Sequence, residues 1–370
     1  MAPDAVPHLL TQPPTAADDP RDRGGRAQPL LIAQNLEKHF PIRGGMLSRK
    51  HASIKAVDDV SFSVLKGETM GVVGESGCGK STLARVLMGL LPQDKGSIVF
   101  DGELVGGQQG LPMRELRRNM QIVFQDSDSS LNPRLPIVES IAYGPRVHGM
   151  RRTEARRLAR DLLQRVGLDP ALFAFRYPHE LSGGQKQRVN VARALALRPR
   201  LVILDEAVSA LDKSIEAQVL NLLRELRQTL NLTYVFISHD LNVVRCVSDR
   251  MLVMYLGKVV EIGPTDVIYR KPKHPYTKAL LESRPTIDPR DRVETAPLAG
   301  DPPNPANPPS GCRFRTRCVF SEEVCAARQP ALGGSSTHTA HQVACHMADP
   351  QSGHSRTSQS SKRAAAALGC

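Results

Sequence analysis

The sequence predicts an α/β fold built on a mainly parallel sheet, and three observations carry that expectation. Strand-length apolar runs at Leu201 to Leu204, Tyr234 to Ile237 and Met251 to Tyr255 are interleaved with helical patterns, one of them from about Ser214 to Leu230. A second buried-looking run, Glu68 to Val73, leads through a glycine-rich turn into a helix-forming stretch, Ser81 to Leu91. The third is the run at Leu201, which delivers two carboxylates, Asp205 and Glu206, at a strand's C-terminal end, where ligands of such sheets bind.

The remaining elements follow in chain order. Residues 1 to about 28 are rich in Pro, Ala, Asp and Arg without periodicity, which predicts a disordered tail. Strands are expected over Leu30 to Phe40 and Ile54 to Leu65, separated by a Gly- and Lys-rich insert from Arg43 to His51. A largely helical segment runs from about 112 to 185. Within it Arg151 to Arg165, the densest basic stretch, places Leu158, Leu162 and Leu163 at helical spacing, so its charges read as a solvated face. After about Pro285 the composition shifts to Pro, Asn, Gly and Cys, marking a module of little regular structure over 286 to 350. The Ser- and Ala-rich residues 351 to 370 read as a second disordered tail. No internal repeat is visible, so one catalytic domain, 29 to 285, is expected.

Composition excludes several classes. The 370 residues are 41% hydrophobic and 23% charged, enough to bury a core. No apolar run reaches the roughly eighteen residues of a spanning helix, and the N-terminus has no apolar signal region, so an intracellular chain is expected. The net charge of +12 is scattered, Trp is absent and aromatics are 4%, which argues against nucleic acid as a partner.

Gly74-Glu75-Ser76-Gly77-Cys78-Gly79-Lys80-Ser81-Thr82 fits the phosphate-loop pattern, with a strand before it and a helix after it. Its backbone N–H groups can curl round a β-phosphate while Lys80 reaches the β- and γ-phosphates and the Ser81 hydroxyl ligates Mg²⁺. Cys78 occupies a free position and reads as a small residue that fits. Asp205 would hold Mg²⁺ through water, and Glu206 would polarise the attacking water. Between these motifs, Ser182-Gly183-Gly184-Gln185 opens a helix and offers a second set of N–H groups to an anion.

These three motifs together resemble the ABC-type nucleotide-binding subunits over about residues 29 to 285. The resemblance implies a P-loop ATPase core with an antiparallel β subdomain and a helical subdomain. It also implies roles for further residues: Gln125 as the glutamine-loop residue that senses Mg²⁺ and water, His239 as the switch histidine on the γ-phosphate, Asp212 in the loop between paired subunits, and Phe40 stacking on adenine. ATP held by one subunit is then closed over by Ser182 to Gln185 of a homologous second one. Two departures stand out: Ala207 where the family usually has Pro, and Ser127-Asp128 in place of a common Pro-Tyr.

Tyr177-Pro178-His179-Glu180, the insert after Phe40, and His274-Pro275-Tyr276-Thr277 resemble the dipeptide and oligopeptide importer group, most closely its F-type ATPase. That implies a peripheral subunit on the cytoplasmic face of the membrane, two transmembrane permease subunits, and an extracytoplasmic peptide-binding protein served indirectly. Nickel importers share these features; a non-transport ATPase acting on nucleic acid or the ribosome is the more distant alternative.

Of seven cysteines, Cys312, Cys318, Cys325 and Cys345 fall within 34 residues, with gaps of five, six and nineteen. Four thiolates can hold Zn²⁺ or an iron–sulfur cluster, or remain unliganded. The lack of C-x-x-C pairs tilts the reading towards a [4Fe–4S] cluster, and the resemblance supports it. His341 and His346 are alternative ligands for such a site, but the expectation is that they are surface histidines.

Overall fold

A computed structural model describes residues 22, 25, 28–42, 53–283, 300–333 and 341–357. The expected N-terminal tail therefore lies almost wholly outside the described residues, as do the insert at 43–51 and the last thirteen positions, 358–370.

The strands are β1 (Pro29–Pro41), β2 (Ser53–Leu65), β3 (Thr69–Val73), β4 (Lys95–Phe100), β5 (Glu103–Leu104), β6 (Met120–Val123), β7 (Leu201–Asp205), β8 (Thr233–Ile237), β9 (Arg250–Tyr255), β10 (Lys258–Pro264) and β11 (Gln342–Val343). One four-stranded sheet has the order β2-β1-β4-β5, its β4–β5 pair antiparallel. Among the described residues no helix is long and apolar enough to cross a membrane.

The chain divides into two compact units. The first takes Ser63–Thr69 and Ile98–Ile237 together with the start of the chain up to Ile32. In it β6, β7 and β8 run parallel and in register, Val123 beside Leu204 and Leu204 beside Phe236. Every residue of β7 and β8 is buried, as expected of parallel strands covered on both faces. The helices Ile137–Val147, Arg152–Arg165 and Gly183–Leu195 pack on one another. Leu158, Leu162 and Leu163 face inward from the second of these, so the basic stretch is the solvated helix face that its spacing predicts. The helix Lys213–Leu230 stops at Asn231, whose left-handed φ of 50° ends the hydrogen-bond ladder. Strand β6 departs from expectation: its four residues lie in a segment read as mostly helical, too short a run to show a period of its own.

The second unit takes Ala33–Phe62, Met70–Ser97 and the chain from Ser238 onward. Here β3 runs parallel to β9, with Val73 beside Val253, while β10 is antiparallel to β9 and β11 antiparallel to β10. The cysteine-containing segment belongs to this unit and is tied into its sheet, since the Ala344 N–H donates to Val260 O at 2.8 Å. Residues 351–357, expected as part of a disordered tail, are folded. Ser352 Oγ donates to His346 O at 2.6 Å and His354 Nε2 to Phe320 O at 2.9 Å, and both residues are buried. The buried polar atoms find backbone partners there, which a composition-based reading does not see.

Candidate functional site

In the second unit the glycine loop joins the buried strand β3 to the helix Lys80–Leu87. Gly79 sits at φ 109°, and a Cβ there would lie 1.9 Å from Ala56 O; Gly74, at φ 152°, would put one 2.2 Å from Met254 O. Only glycine permits both the turn and that approach. Lys80 is buried at the helix start, and its Nζ donates to the carbonyls of Gly74 at 2.8 Å and Glu75 at 3.1 Å. The loop thus holds the ammonium with its own carbonyls. Ser76 and Gly77 are exposed at the tip, and Ser81 and Thr82 are half-buried on the first turn. Cys78 is buried, and burial pushes its thiol up, so it stays protonated and fills space.

In the first unit β7 carries Asp205, buried, to the edge of the strands' C-terminal ends. Glu206 follows in the left-handed region at φ 49°, a conformation a non-glycine residue adopts at some cost and one that clusters at functional turns. Its backbone is held on both sides, by its own N–H to Ile237 O at 3.0 Å and by Ser209 Oγ donating to its carbonyl at 2.9 Å. Gln125, two residues beyond β6, donates from Nε2 to Glu206 Oε2 at 3.1 Å. The structure thus brings together Gln125 and Glu206, two residues that the sequence reading named separately.

Ser182 caps the helix Gly183–Leu195. Its Oγ accepts from Gln185 N at 3.4 Å while Gln185 Oε1 accepts from Ser182 N at 2.9 Å, a reciprocal capping box. Ser182 and Gly183 are exposed, as is Asp212 at the start of Lys213–Leu230, so this surface is open to a partner.

Comparison with known proteins places this arrangement. Residues 57–209 match the family described as ABC transporter, and residues 260–325 match that described as oligopeptide/dipeptide transporter, C-terminal region. The chain is 49% identical over 322 residues to the oligopeptide transport ATP-binding protein AppF of Bacillus subtilis, covering 86% of this chain and 97% of that one. The chain belongs to the ABC transporter ATP-binding family. It is also 46% identical over 327 residues to the oligopeptide transport ATP-binding protein OppF of Salmonella typhimurium, covering 87% and 97%. Among solved structures, cbiO1 of Clostridium perfringens, part of the ABC transporter complex cbiONQ, superimposes with a TM-score of 0.56 at 27% identity, covering 66% of this chain and 91% of that one. The fold is thus the α/β fold of an ABC ATPase, and the protein is an ATP hydrolase of that type.

The other expected residues of the ABC ATPase lie as follows. His239 is exposed between β8 and the helix Leu241–Val247, which Asp240 caps by accepting from Asn242 N at 2.9 Å. Phe40 is half-buried near the end of β1 with Lys38 Nζ 5.8 Å from its ring centre. Cys312, Cys318, Cys325 and Cys345 line one small cavity, and none is in a disulfide. Burial pushes the Cys312 thiol up to about 11 and that of Cys345 up to about 12; the nearness of the other thiols adds to both shifts. Burial raises Cys318 as well. Neither His341 nor His346 is the surface histidine expected. His341 Nε2 meets the buried Glu261 at 2.6 Å, and His346 is buried with Nε2 donating to Arg328 O at 2.8 Å.

Among the described residues, the one set of three ligand atoms within 4.8 Å of one another is Glu37, His39 and Asp58. It is a set of ion pairs rather than a metal site. Burial works against charge on Asp58, but Arg313 and Lys258 hold its carboxyl below the usual range, and Glu37 pairs with Lys95 at 3.1 Å. Sequence reasoning missed Arg313, Phe314 and Arg317, which lie between Cys312 and Cys318; the two arginines reach back to Asp58 and Glu75, more than two hundred positions earlier, and Phe314 packs on Tyr255 and Tyr276.

Proposed function

We propose that this ABC ATPase powers the import of dipeptides and oligopeptides, as a peripheral subunit on the cytoplasmic face of the membrane. The match of residues 260–325 to the oligopeptide/dipeptide transporter C-terminal region carries the reading, because that segment lies beyond the 57–209 match to the general ABC transporter family. It pairs with a homologous ATPase subunit and docks on two permease subunits that receive peptide from an extracytoplasmic binding protein. Large apolar side chains exposed on the helical part of the first unit support a docking role: Tyr143 is 61% exposed, Leu172 60% and Phe175 63%.

In this reading Lys80 holds the β- and γ-phosphates, and Ser81, Gln125 and Asp205 hold Mg²⁺, which supplies charge neutralisation at the leaving phosphate. Glu206 is the general base, His239 contacts the γ-phosphate, and Phe40 stacks on adenine. Ser182 to Gln185 and Asp212 face the second ATPase subunit.

The four thiols fit a [4Fe–4S] cluster. Burial, with the neighbouring thiols adding to it, disfavours thiolates at Cys312 and Cys345, and bound iron would offset that cost. A single tetrahedral Zn²⁺ draws its sulfurs to about 3.8 Å from one another, yet no three of these lie within 4.8 Å. A cluster, with one thiolate per iron, spaces them more widely.

The test is uptake of labelled dipeptide and longer peptides into proteoliposomes holding the chain with its permease partners and binding protein. Peptide uptake that needs ATP and is lost in Glu206→Gln supports the reading. Nickel uptake without peptide uptake would overturn it.

A further inference from the structure

The segment that carries the cysteines also grips the phosphate loop. Arg317, the residue before Cys318, donates from Nη1 to Glu75 Oε2 at 2.8 Å and from Nη2 to Glu75 Oε1 at 3.1 Å. This is a two-point fork on a carboxylate, the geometry that gives an arginine pair both strength and direction. The Arg317 side chain is 6% exposed, so water screens the pair far less than it screens a surface bridge.

The backbone of Glu75 is held as well. Its N–H donates to Tyr276 Oη at 2.9 Å. Tyr276 packs against Tyr255, ring centres 4.6 Å apart, and against Phe314 at 5.4 Å, while Phe314 meets Tyr255 edge-on at 5.3 Å. Phe314 lies two residues after Cys312. The stretch from Cys312 to Cys318 therefore reaches the loop by two routes. One is the ion pair to the Glu75 carboxylate; the other is the aromatic cluster behind the tyrosine that takes the Glu75 N–H.

Glu75 is a liability in a loop that must wrap a polyanion, because an unpaired carboxylate there repels the triphosphate. The arginine fork neutralises that charge and fixes its direction. It also steadies the Glu75 carbonyl, one of the two on which Lys80 Nζ rests.

We propose that Arg317 is a positioning residue of the ATPase site, through which the C-terminal module sets the charge and shape of the phosphate loop. It touches the loop and not the nucleotide, and the effect does not depend on what the thiol cavity holds. By thermodynamic reciprocity, bound MgATP also alters the surroundings of Cys312 and Cys318.

The test uses the full-length chain with Arg317→Gln, Arg317→Lys, Glu75→Gln and the double variant Arg317→Gln/Glu75→Gln. Equilibrium binding of a fluorescent ATP analogue with Mg²⁺, KM and kcat for ATP, and the thermal midpoint are measured on each. Arg317→Gln should weaken binding and raise KM roughly tenfold, with kcat at saturating ATP within about twofold. Adding Glu75→Gln removes the stranded charge and should restore most of the affinity, a rescue that a purely structural role of Arg317 would not show. Unchanged KM and binding in Arg317→Gln, or no rescue in the double variant, overturns the proposal. Should Arg317→Gln fail to fold, the double variant decides: with both charges gone its KM and binding should stay near those of the unaltered chain, and a roughly tenfold loss there overturns the proposal.

Discussion

Gln125 Nε2 and Glu206 Oε2 lie 3.1 Å apart, joining the segment after β6 to the turn after β7. The contact is a hydrogen bond from a neutral amide to the carboxylate, and it fixes the direction of that oxygen. A carboxylate must be so oriented before it can take a proton from an attacking water.

Glu206→Gln should therefore lower ATP hydrolysis at least about a hundredfold while leaving nucleotide binding intact. With the homologous second subunit present, the ATP-bound closed pair should accumulate, visible as an ATP-dependent shift to the mass of the pair in size-exclusion chromatography. Turnover at the normal rate would remove Glu206 from the role of base.

The loop's dependence on glycine can be tested separately from its chemistry. In Gly79→Ala the new Cβ would stand 1.9 Å from the Ala56 carbonyl, at a φ of 109° that an alanine resists. Backbone carbonyl cannot move aside as a side-chain tip can, so the loop itself must shift. ATP-analogue binding should fall at least about tenfold, since a small misplacement of the cradle loses several N–H contacts at once. Full affinity in this variant would mean the loop binds phosphate in another shape.

How far the site could be foreseen follows from the range of each interaction. The phosphate loop, the Asp205–Glu206 pair and the Ser182 cap were legible because their chemistry demands fixed residue types at fixed local spacing, between a strand and a helix. Strand β6 was not, since Met120 to Val123 owe their pairing to β7 rather than to a pattern of their own. Arg317 and Glu75 are 242 positions apart, and nothing local marks an arginine beside a cysteine as a partner for a distant loop. The same holds for His341, which its surroundings mark as surface until Glu261 is placed against it.

Glu261 sets an acid limit on stability. The carboxylate is fully buried on β10, accepting from Lys273 N at 2.8 Å and His274 N at 3.1 Å and meeting His341. Burial alone would raise its pKa, but His341, Thr277 and the two N–H groups outweigh burial and hold it below the usual 4.5. A carboxyl depressed in the folded state contributes stability that is whole above its unfolded pKa and is lost as pH falls through the folded one. The thermal midpoint should thus drop below about pH 4.5, and less steeply in Glu261→Gln. That variant should already be weaker at neutral pH, by about 2–4 kcal/mol, because one amide oxygen replaces two carboxylate oxygens for the same donors. An unaltered acid slope would show that other carboxyls govern acid unfolding.

The thiol cavity makes the sharpest chemical prediction. Protonated thiols with pKa values pushed up to about 11 at Cys312 and about 12 at Cys345 are inert at neutral pH unless a metal displaces their protons. If the proposed cluster occupies the cavity, anaerobically purified chain should carry about four irons and four acid-labile sulfides, with a brown absorbance in the visible range. Cys345→Ser removes one ligand from the cavity and should lose most of the iron. Cys246→Ser, outside that cavity, should keep it. Slow reaction of all four cavity thiols with an alkylating reagent in metal-free protein, together with no bound iron, would leave them as protonated packing groups. One zinc per chain, lost in Cys345→Ser, would require the sulfurs to close in on a single ion from positions where no three are within 4.8 Å. That closure would be measurable as a large gain in thermal stability on adding zinc, so the metal content and the melting curve together decide between the three states.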